Sequence, residues 1–200
     1  MDDAPIVRLE NVHKTFASGA VALDGMNLEV RRGEFLSLLG PSGCGKSTAL
    51  RILASLSEPT HGAVTWLDGR KVHGREIGFV FQEPTLMPWA TVFANVALPL
   101  RLQSTDPSQI QTRVETALER VGLSRFSAAY PRQLSGGMKM RVSIARALAG
   151  NPQLLLMDEP FAALDEITRF KLNDDLMRLT AELQTTVVFV THSVFESVFL

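Results

Sequence analysis

An eight-residue stretch at positions 40–47, Gly-Pro-Ser-Gly-Cys-Gly-Lys-Ser, constrains the fold of this 200-residue chain most strongly. It follows an apolar run at 35–39 and precedes a helical run at 48–56. Glycines in such a loop let backbone N–H groups converge at a helix N-terminus, which attracts anions. The spacing matches a phosphate-binding loop between a strand and a helix, and a chance match has odds below about 1 in 100.

The positions of this loop are predicted to bind ATP, and two of them have specific roles. Lys46 is expected to bridge the β and γ phosphates, and Ser47 to ligate Mg²⁺. We interpret Cys44 as a small space-filling residue rather than a redox group. The other predicted nucleotide-binding positions of the loop are Gly40, Pro41, Ser42, Gly43, Cys44, Gly45 and Thr48.

Two carboxylates end an apolar run at residues 154–159, Leu-Leu-Leu-Met-Asp-Glu. By itself, a strand that ends in solvated acids is common. Beside a phosphate loop, Asp158 is predicted to hold Mg²⁺, directly or through water. Glu159 is predicted to polarise the attacking water.

A second glycine-rich helix start lies at residues 134–138, Leu-Ser-Gly-Gly-Met, before a helix predicted at about 139–148. Ser135, Gly136 and Gly137 would present free N–H groups and a hydroxyl, which predicts a second anion site. Taken alone, the pattern fits a plain glycine-rich helix cap equally well. One chain does not need two phosphate cradles for one γ-phosphate, unless the second serves a partner's nucleotide.

Short apolar runs between these motifs predict an α/β fold. The runs at 35–39, 154–157 and 187–190 are nearly continuous, as expected of parallel strands covered on both faces. No strand is predicted between 88 and 150, so this segment is interpreted as a helical insertion. The predicted strands occupy residues 6–12, 23–30, 35–39, 63–67, 77–81, 154–157 and 186–191.

Two further helices have recognisable starts. Asp106 caps and Pro107 opens the first, which Gly122 ends. The second follows Asp165. The residues predicted to face inward are Ile110, Val114, Ala117, Leu118 and Val121 on the first helix, and Ile167, Phe170, Leu176, Leu179 and Leu183 on the second.

The last helix is predicted to begin at a capping box formed by Ser193 and Glu196. The sequence stops about two turns later, which leaves Val198, Phe199 and Leu200 without predicted partners. We therefore expect the natural chain to continue beyond Leu200, with the present C-terminus truncated.

The bulk composition narrows the classes of function. A net charge of −1 argues against a broad nucleic-acid-binding surface. No run approaches the roughly 18 apolar residues of a membrane span, and the acidic start lacks the features of a signal peptide. One cysteine excludes an internal disulfide framework, and the four histidines lack metal-ligand spacing. These features predict a soluble cytosolic chain.

In this order, the motifs resemble those of the nucleotide-binding subunits of ABC transporters over essentially the whole chain. The resemblance implies a P-loop ATPase core with a mostly parallel sheet and an N-terminal antiparallel β part. It implies one domain, with an α/β core at 1–87 and 151–200 and a helical subdomain at 88–150. It also implies a head-to-tail dimer that traps ATP between Lys46 of one copy and Ser135 of the other.

Several residues gain roles only through this resemblance. Phe16 matches the aromatic residue that stacks on adenine, although a core aromatic at a strand end fits equally well. Gln82, at the end of the strand predicted at 77–81, matches a glutamine that contacts Mg²⁺ or the lytic water. His192 matches the switch histidine at the γ-phosphate, and Ala-Leu-Asp at 163–165 matches the D-loop.

The predicted catalytic set is therefore Glu159, His192 and Gln82, and the predicted metal set is Ser47, Gln82 and Asp158. Four positions depart from the commonest family pattern without removing a catalytic group. These are Phe16 for Tyr, Met138 for Gln, Ala162 for Ser and Ser193 for Asp.

Two other classes of function remain open. One is a non-transport ABC ATPase that acts on DNA or the ribosome. DNA-repair relatives carry a long coiled coil between the two glycine-rich loops, and ribosome-acting relatives carry two cassettes in one chain; neither feature is found here. The other is a nucleotide-binding regulator without hydrolysis, against which Glu159 and His192 argue.

The segment at 82–92 resembles importers of nitrate, sulfonate, taurine and related small solutes. Pro88 and Trp89 carry this resemblance, supported by Met138. It is an association only, because no residue here binds the cargo. The expected partners are ATP, a second motor subunit (identical or different), an integral membrane permease and, indirectly, a substrate-binding protein, with no nucleic acid. The expected location is peripheral, on the cytoplasmic face of the cell membrane.

Overall fold

The protein contains two β-sheets. Their strands form from short runs rich in β-branched and apolar residues. The computed structural model describes residues 5–66 and 76–199. Each predicted strand is present there, and Leu67, the last residue of one, lies outside the described residues. The strands are β1 (Pro5–Thr15), β2 (Val21–Arg31), β3 (Phe35–Leu39), β4 (His61–Trp66), β5 (Ile77–Val80), β6 (Leu154–Asp158) and β7 (Thr186–Thr191).

The first sheet is antiparallel, in the order β2-β1-β4. Val7 of the central strand lies opposite Val30 on one side and Trp66 on the other. All three side chains are buried. This sheet confirms the N-terminal antiparallel part that the sequence predicts.

The second sheet is parallel, in the order β3-β7-β6-β5. Successive side chains of a strand point to opposite faces. Leu155 and Val187 accordingly pack in the core shared with the helical segment. Leu156 and Val188 pack in the core shared with the antiparallel sheet. Because both faces are covered, β6 and β7 are apolar at nearly every position.

Six α-helices complete the described chain, and those between β5 and β6 confirm the predicted helical insertion. The exact division into core and helical subdomain stays a prediction. None of the described helices is long and apolar enough to cross a membrane. The helices are α1 (Lys46–Leu53), α2 (Val92–Leu102), α3 (Pro107–Arg120), α4 (Gly136–Leu148), α5 (Glu166–Leu183) and α6 (Val194–Phe199).

Helix α3 begins as predicted, because the Asp106 carboxylate accepts a hydrogen bond from the Ser108 backbone N–H at 2.8 Å. The inward face predicted for α5 is wrong in its first two turns, where Ile167 is 83% exposed and Phe170 is also exposed. Ile167 precedes the buried Leu176 by two and a half turns at 3.6 residues per turn, so it lies on the opposite face. The buried face of α5 begins only at Leu172.

The predicted capping box of α6 is only half formed. The Ser193 hydroxyl accepts a hydrogen bond from the Glu196 backbone N–H at 3.3 Å. The Glu196 side chain does not return to the Ser193 backbone; it binds the Thr191 hydroxyl instead. Val198 is exposed as expected, whereas the Phe199 ring stacks on Phe195 with 6.0 Å between centroids. Leu200 lies outside the described residues.

Candidate nucleotide-binding site

The predicted site residues meet at one edge of the parallel sheet. Because its four strands run the same way, the segments after their carboxyl ends share that edge, where open α/β sheets bind ligands. The loop at 40–45 follows β3, Gln82 follows β5, Glu159 follows β6 and His192 follows β7.

The last glycine of the loop, Gly45, cannot be replaced by a residue with a Cβ, for two reasons. Gly45 has a φ of +97°, and a Cβ there would lie 2.1 Å from the carbonyl oxygen of Ala22. Helix α1 begins at the next residue, Lys46, two residues earlier than predicted. The Lys46 ammonium donates to the carbonyl oxygens of Gly40 at 2.6 Å and Pro41 at 2.8 Å, so its charge is held over the loop.

Ser47 and Asp158 bring two oxygen atoms together below this loop. The Ser47 hydroxyl donates to Asp158 Oδ1 at 2.7 Å. Asp158 is 8% exposed. Burial raises the pKa of its carboxyl group, and this rise is opposed by the hydrogen bond from Ser47 and by the charge of Arg51. A hydroxyl and a carboxylate are hard oxygen donors, and this pair fits the ligand preference of Mg²⁺.

Glu159 and His192 form the second pair. The imidazole Nδ1 of His192 lies 3.2 Å from Glu159 Oε2. Glu159 has a left-handed backbone, with a φ of +45°, and its N–H donates to the carbonyl of Val190 at 3.0 Å. Such backbone geometry is uncommon outside glycine and clusters at functional sites. The turn therefore directs the Glu159 carboxylate towards the histidine at the end of the neighbouring strand.

A cavity of about 470 Å³ opens beside the loop. Phe16, Lys46, Ser47, Gln82 and Glu159 all contribute to its lining. Phe16 is 43% exposed, so the interpretation of this ring as a core aromatic is wrong. Its predicted stacking on adenine stays a prediction. Asp158 and His192 do not line this cavity themselves, but they contact Ser47 and Glu159, which do.

The second glycine-rich loop is separate from this cavity. Ser135 caps α4, because its hydroxyl accepts a hydrogen bond from the Met138 backbone N–H at 3.3 Å. A Cβ on Gly137 would lie 2.8 Å from Thr168, so α4 and α5 approach closely at their N-termini. Among the described residues that line the cavity, none belongs to 134–138. Ser135 and Gly136 are exposed.

Asn95 is a functional candidate that the sequence reasoning missed. It is fully buried on α2, and its amide oxygen accepts from the Met87 N–H at 2.8 Å. Its amide nitrogen donates to the carbonyl oxygens of Met87, Ala90 and Thr91 at 3.0–3.2 Å. Trp89, within this segment, is 77% exposed. An amide on the apolar face of a helix was the available signal, since buried polar groups are normally hydrogen-bonded.

Arg146 of α4 holds the start of the same segment. Its guanidinium donates to the carbonyl oxygens of Pro84 at 3.0 Å and Thr85 at 2.9 Å, and to the Thr85 hydroxyl at 2.9 Å. Burial lowers the pKa of this arginine from its ordinary value. Arg146 and Asn95 therefore fix the shape of the chain between Gln82 and α2 from two different helices.

Comparisons with known proteins agree on one family. The family model described as ABC transporter matches residues 23–162. An ABC transporter ATP-binding protein of Methanocaldococcus jannaschii is 50% identical, with 97% of this chain and 74% of that protein covered. An aliphatic sulfonates import ATP-binding protein of Pseudomonas syringae is 47% identical, with coverages of 97% and 76%. A probable sulfate/thiosulfate import ATP-binding protein of Chlorella vulgaris is 47% identical, with coverages of 96% and 82%.

Solved structures give the same result for the fold. A dimeric ATP-binding cassette in a post-hydrolysis state, bound to ADP and Pi, superimposes with a TM-score of 0.83 at 40% identity. The alignment covers 96% of this chain and 90% of that one.

Proposed function

Because this chain belongs to the ABC transporter family of ATP-binding proteins, we propose that it is the motor subunit of an importer. It hydrolyses ATP, as members of this family do, and in the proposed function hydrolysis drives uptake of a small solute through a separate permease. The observation that carries the proposal is the convergence of Lys46, Ser47, Asp158, Glu159 and His192 at one sheet edge.

The glycine-rich loop binds the triphosphate in this proposal. Its backbone N–H groups and the Lys46 ammonium face the phosphate oxygens, and Phe16 stacks on the base. Ser47, Asp158 and Gln82 hold Mg²⁺, which supplies charge neutralisation on the phosphate oxygens during transfer. The short Ser47–Asp158 contact and the place of Gln82 in the cavity lining support this assignment.

Glu159 polarises the attacking water in this proposal. Its carboxylate lines the cavity, and the imidazole of His192 lies beside it at 3.2 Å. In this proposal, His192 contacts both the Glu159 carboxylate and the γ-phosphate, so it orients the carboxylate towards the γ-phosphate. Proton transfer to a positioned carboxylate contributes about 10²–10⁴-fold to a hydrolysis rate.

A second copy completes the site. Ser135, Gly136 and Gly137, at the start of α4, bind an anion in this proposal. They lie outside the cavity of their own chain, where Ser135 and Gly136 are exposed and Gly137 is half-buried. In the proposed head-to-tail dimer, they contact the γ-phosphate of ATP that is bound to the loop of the other copy. The dimeric state of a similar cassette, seen in two solved structures, supports this arrangement.

The relatives and one segment support the proposed direction of transport and the proposed cargo class. Two of the relatives are named as import ATP-binding proteins for aliphatic sulfonates and for sulfate/thiosulfate. Together with the segment at 82–92, they favour a small-solute importer of the nitrate, sulfonate or taurine type. The chain then works on the cytoplasmic face of the membrane, with a permease and indirectly a substrate-binding protein as partners.

The permease contact provides the test. Trp89 projects from a segment that Asn95 and Arg146 hold rigid, and we assign it to the surface that meets the permease. In membrane vesicles with the cognate permease and binding protein, Trp89→Glu should abolish uptake of radiolabelled taurine, alkanesulfonate or nitrate. The isolated variant should keep its ATPase rate, because Trp89 is exposed.

Leu56→Glu is the matched control, since Leu56 is also exposed, at 62%, but lies three residues after the end of α1. It should transport at the parental rate. Full transport by Trp89→Glu would exclude this contact surface. Parental vesicles that hydrolyse ATP without taking up any of the three solutes would refute the proposed cargo class.

A further inference from the structure

A buried carboxylate fixes the backbone on both sides of His192. Glu196 of α6 is 5% exposed, and its Oε2 accepts a hydrogen bond from the Thr191 hydroxyl. The same hydroxyl oxygen accepts from the Ser193 backbone N–H at 3.0 Å. Thr191 and Ser193 flank His192, so the position of the imidazole depends on where Glu196 is held.

An arginine on α5 holds the loop that follows Glu159. Arg169 Nη2 donates to the carbonyl oxygens of Leu164 at 3.0 Å and Ala162 at 3.4 Å. The Ala162 N–H in turn donates to the Glu159 carbonyl at 3.2 Å. Arg169 Nε lies 3.7 Å from Glu196 Oε1, so the two charged groups face each other. The loop after Glu159 and the backbone around His192 are therefore joined through one ion pair.

The Arg169–Glu196 pair lies within ion-pair distance but is incompletely hydrogen-bonded. Arg169 Nε and Glu196 Oε1 are buried and have no hydrogen-bond partner among the described residues. Their 3.7 Å separation is longer than the 2.7–2.9 Å that is usual for such charged bonds. Asn173, one turn further along α5, is fully buried and its amide is also unpartnered. Small movements of this network would therefore change its energy, because buried unpaired groups are costly.

The network also reaches the second glycine-rich loop of the same chain. A Cβ on Gly136 would lie 3.4 Å from a methyl carbon of Leu164, and one on Gly137 would lie 2.8 Å from Thr168. Leu164 is one of the two residues whose carbonyls Arg169 holds. Leu164 and Thr168 thus lie close to the backbone of these two glycines, so a displacement of the Ser135 loop would act on Leu164 in the loop at 162–165.

We propose that Arg169 and Glu196 are positioning residues that couple the Ser135 loop of a copy to its own Glu159–His192 pair. The inference rests on the proposed function, in which the Ser135 loop contacts the nucleotide of the facing copy. When that contact forms, the loop at 162–165 shifts, Arg169 moves against Glu196, and Thr191 carries the change to His192. Binding of ATP at one site of the dimer thereby promotes hydrolysis at the other.

Two substitutions test the ion pair with little change of shape. Glu196→Gln keeps an oxygen that accepts from Thr191 but removes the charge opposite Arg169. Arg169→Lys keeps the charge but cannot donate to the loop carbonyls and face Glu196 at once. Each should lower kcat for Mg²⁺-ATP about tenfold and bring the Hill coefficient to about 1, with ATP affinity within about twofold. Arg169→Lys combined with Glu196→Gln should cost no more than either alone, because both break one link.

Comparison with Glu29→Gln and Glu159→Gln shows whether the coupling, the proposed function or both are wrong. Glu29→Gln breaks the Arg8–Glu29 pair, at 2.8 Å on the antiparallel sheet, and should keep parental kcat and cooperativity. If Glu196→Gln and Arg169→Lys keep a parental Hill coefficient and kcat while Glu159→Gln is inactive, the coupling is refuted and the proposed function stands. If Glu159→Gln hydrolyses ATP at the parental rate, both the coupling and the proposed function are refuted.

Thermal melting separates a loss of coupling from a loss of folded protein. A kcat that falls only in proportion to a lowered fraction of folded protein, measured by thermal melting, would also refute the coupling. Should Glu196→Gln fail to fold, Arg169→Lys alone decides, because Arg169 is more exposed than Glu196 and lysine keeps its charge.

Discussion

The Ser47 hydroxyl and Asp158 Oδ1 lie 2.7 Å apart and join the first turn of α1 to the last residue of β6. The contact holds a buried carboxylate beside the phosphate loop, at the place where Mg²⁺ is proposed to bind. Burial raises the pKa of Asp158. Keeping this group ionised near neutral pH therefore costs stability in the protein without nucleotide.

Replacing that carboxylate should stabilise the nucleotide-free protein. A carboxyl group whose pKa is higher in the folded state destabilises the fold once it ionises, so its cost is absent below the ordinary aspartate pKa of about 3.9. The cost grows as pH rises towards the raised value and is complete above it. Asp158→Asn, which can still accept from Ser47, should thus melt higher than the parent near pH 7. The difference should shrink towards pH 4.

Measurement with Mg²⁺-ATP is the control, because the parent should then melt higher than Asp158→Asn. The parent gains stability by binding, whereas Asp158→Asn has lost a proposed metal ligand and gains less. Melting curves with and without Mg²⁺-ATP at each pH measure both effects. A variant that melts lower than the parent at pH 7 without nucleotide would contradict the unfavourable burial of Asp158.

Lys46→Ala should abolish hydrolysis and weaken ATP binding. The lysine is the cation assigned to the β and γ phosphates, and hydrogen bonds to charged groups contribute ~1.5–3 kcal/mol. ATP affinity should therefore fall about 10- to 100-fold, measured by equilibrium binding of a fluorescent ATP analogue. Lys171→Ala removes an exposed lysine of α5 and should bind normally. Near-normal turnover by Lys46→Ala would mean that the loop is not the phosphate site.

Much of this architecture could be predicted from the sequence because its signals are local. The phosphate loop, the Asp158–Glu159 strand end and the Asp106 cap each occupy a few consecutive residues with a direct physical meaning. Parallel strands then bring their ends together, so the convergence of Glu159 and His192 follows from the strand pattern. The resemblance to ABC transporters added Gln82 and Phe16 to the predicted site, because neither residue has a local sequence signal of its own.

The parts that escaped prediction depend on contacts between distant segments. Asn95 and Arg146 bind backbone carbonyls, and a carbonyl has no residue identity that a sequence pattern could reveal. Glu196 fits a capping box by spacing, yet its side chain binds Thr191 and faces Arg169. Ile167 is apolar but 83% exposed, because tertiary packing decides which face of a helix is covered.

Asn95→Ala should loosen the segment that carries Trp89. The substitution leaves the Met87 N–H and the carbonyls of Ala90 and Thr91 without their buried partner, at a cost of about 1–3 kcal/mol. Trp89 can be observed alone in a Trp66→Phe background, because the chain has two tryptophans. Its fluorescence anisotropy should fall and the melting temperature should drop by several degrees.

Asn27→Ala is the matched control for that experiment. The Asn27 amide also bonds backbone groups, the carbonyl of Gly25 at 3.0 Å and the N–H of Asn11 at 2.9 Å, but on the antiparallel sheet. Its loss should not change the anisotropy of Trp89. Unchanged anisotropy in Asn95→Ala would show that Asn95 does not order the segment.

Glu159→Gln tests both the water-polarising carboxylate and the dimer. The amide keeps the shape of the side chain and an oxygen that can accept from His192 Nδ1, but it lacks the negative charge. ATP binding should survive, because Lys46, Ser47 and Asp158 are untouched. Hydrolysis should fall by about 10²–10⁴-fold, as is typical for the loss of a general base. Glu166→Gln, an exposed carboxylate in the first turn of α5, should hydrolyse ATP at the parental rate.

The same variant should accumulate as an ATP-bound dimer. In the proposed dimer, ATP joins two copies through Ser135 and Gly137 of the opposite chain, and hydrolysis releases them, so a blocked enzyme is expected to stay paired. Gel filtration in ATP should show the Glu159→Gln dimer while the parent remains mostly monomeric. Adding Ser135→Arg should abolish the dimer, because it places bulk and charge at the helix start that faces the γ-phosphate. A Glu159→Gln protein that binds ATP yet stays monomeric at high concentration would contradict the facing-copy arrangement while leaving the catalytic assignment intact.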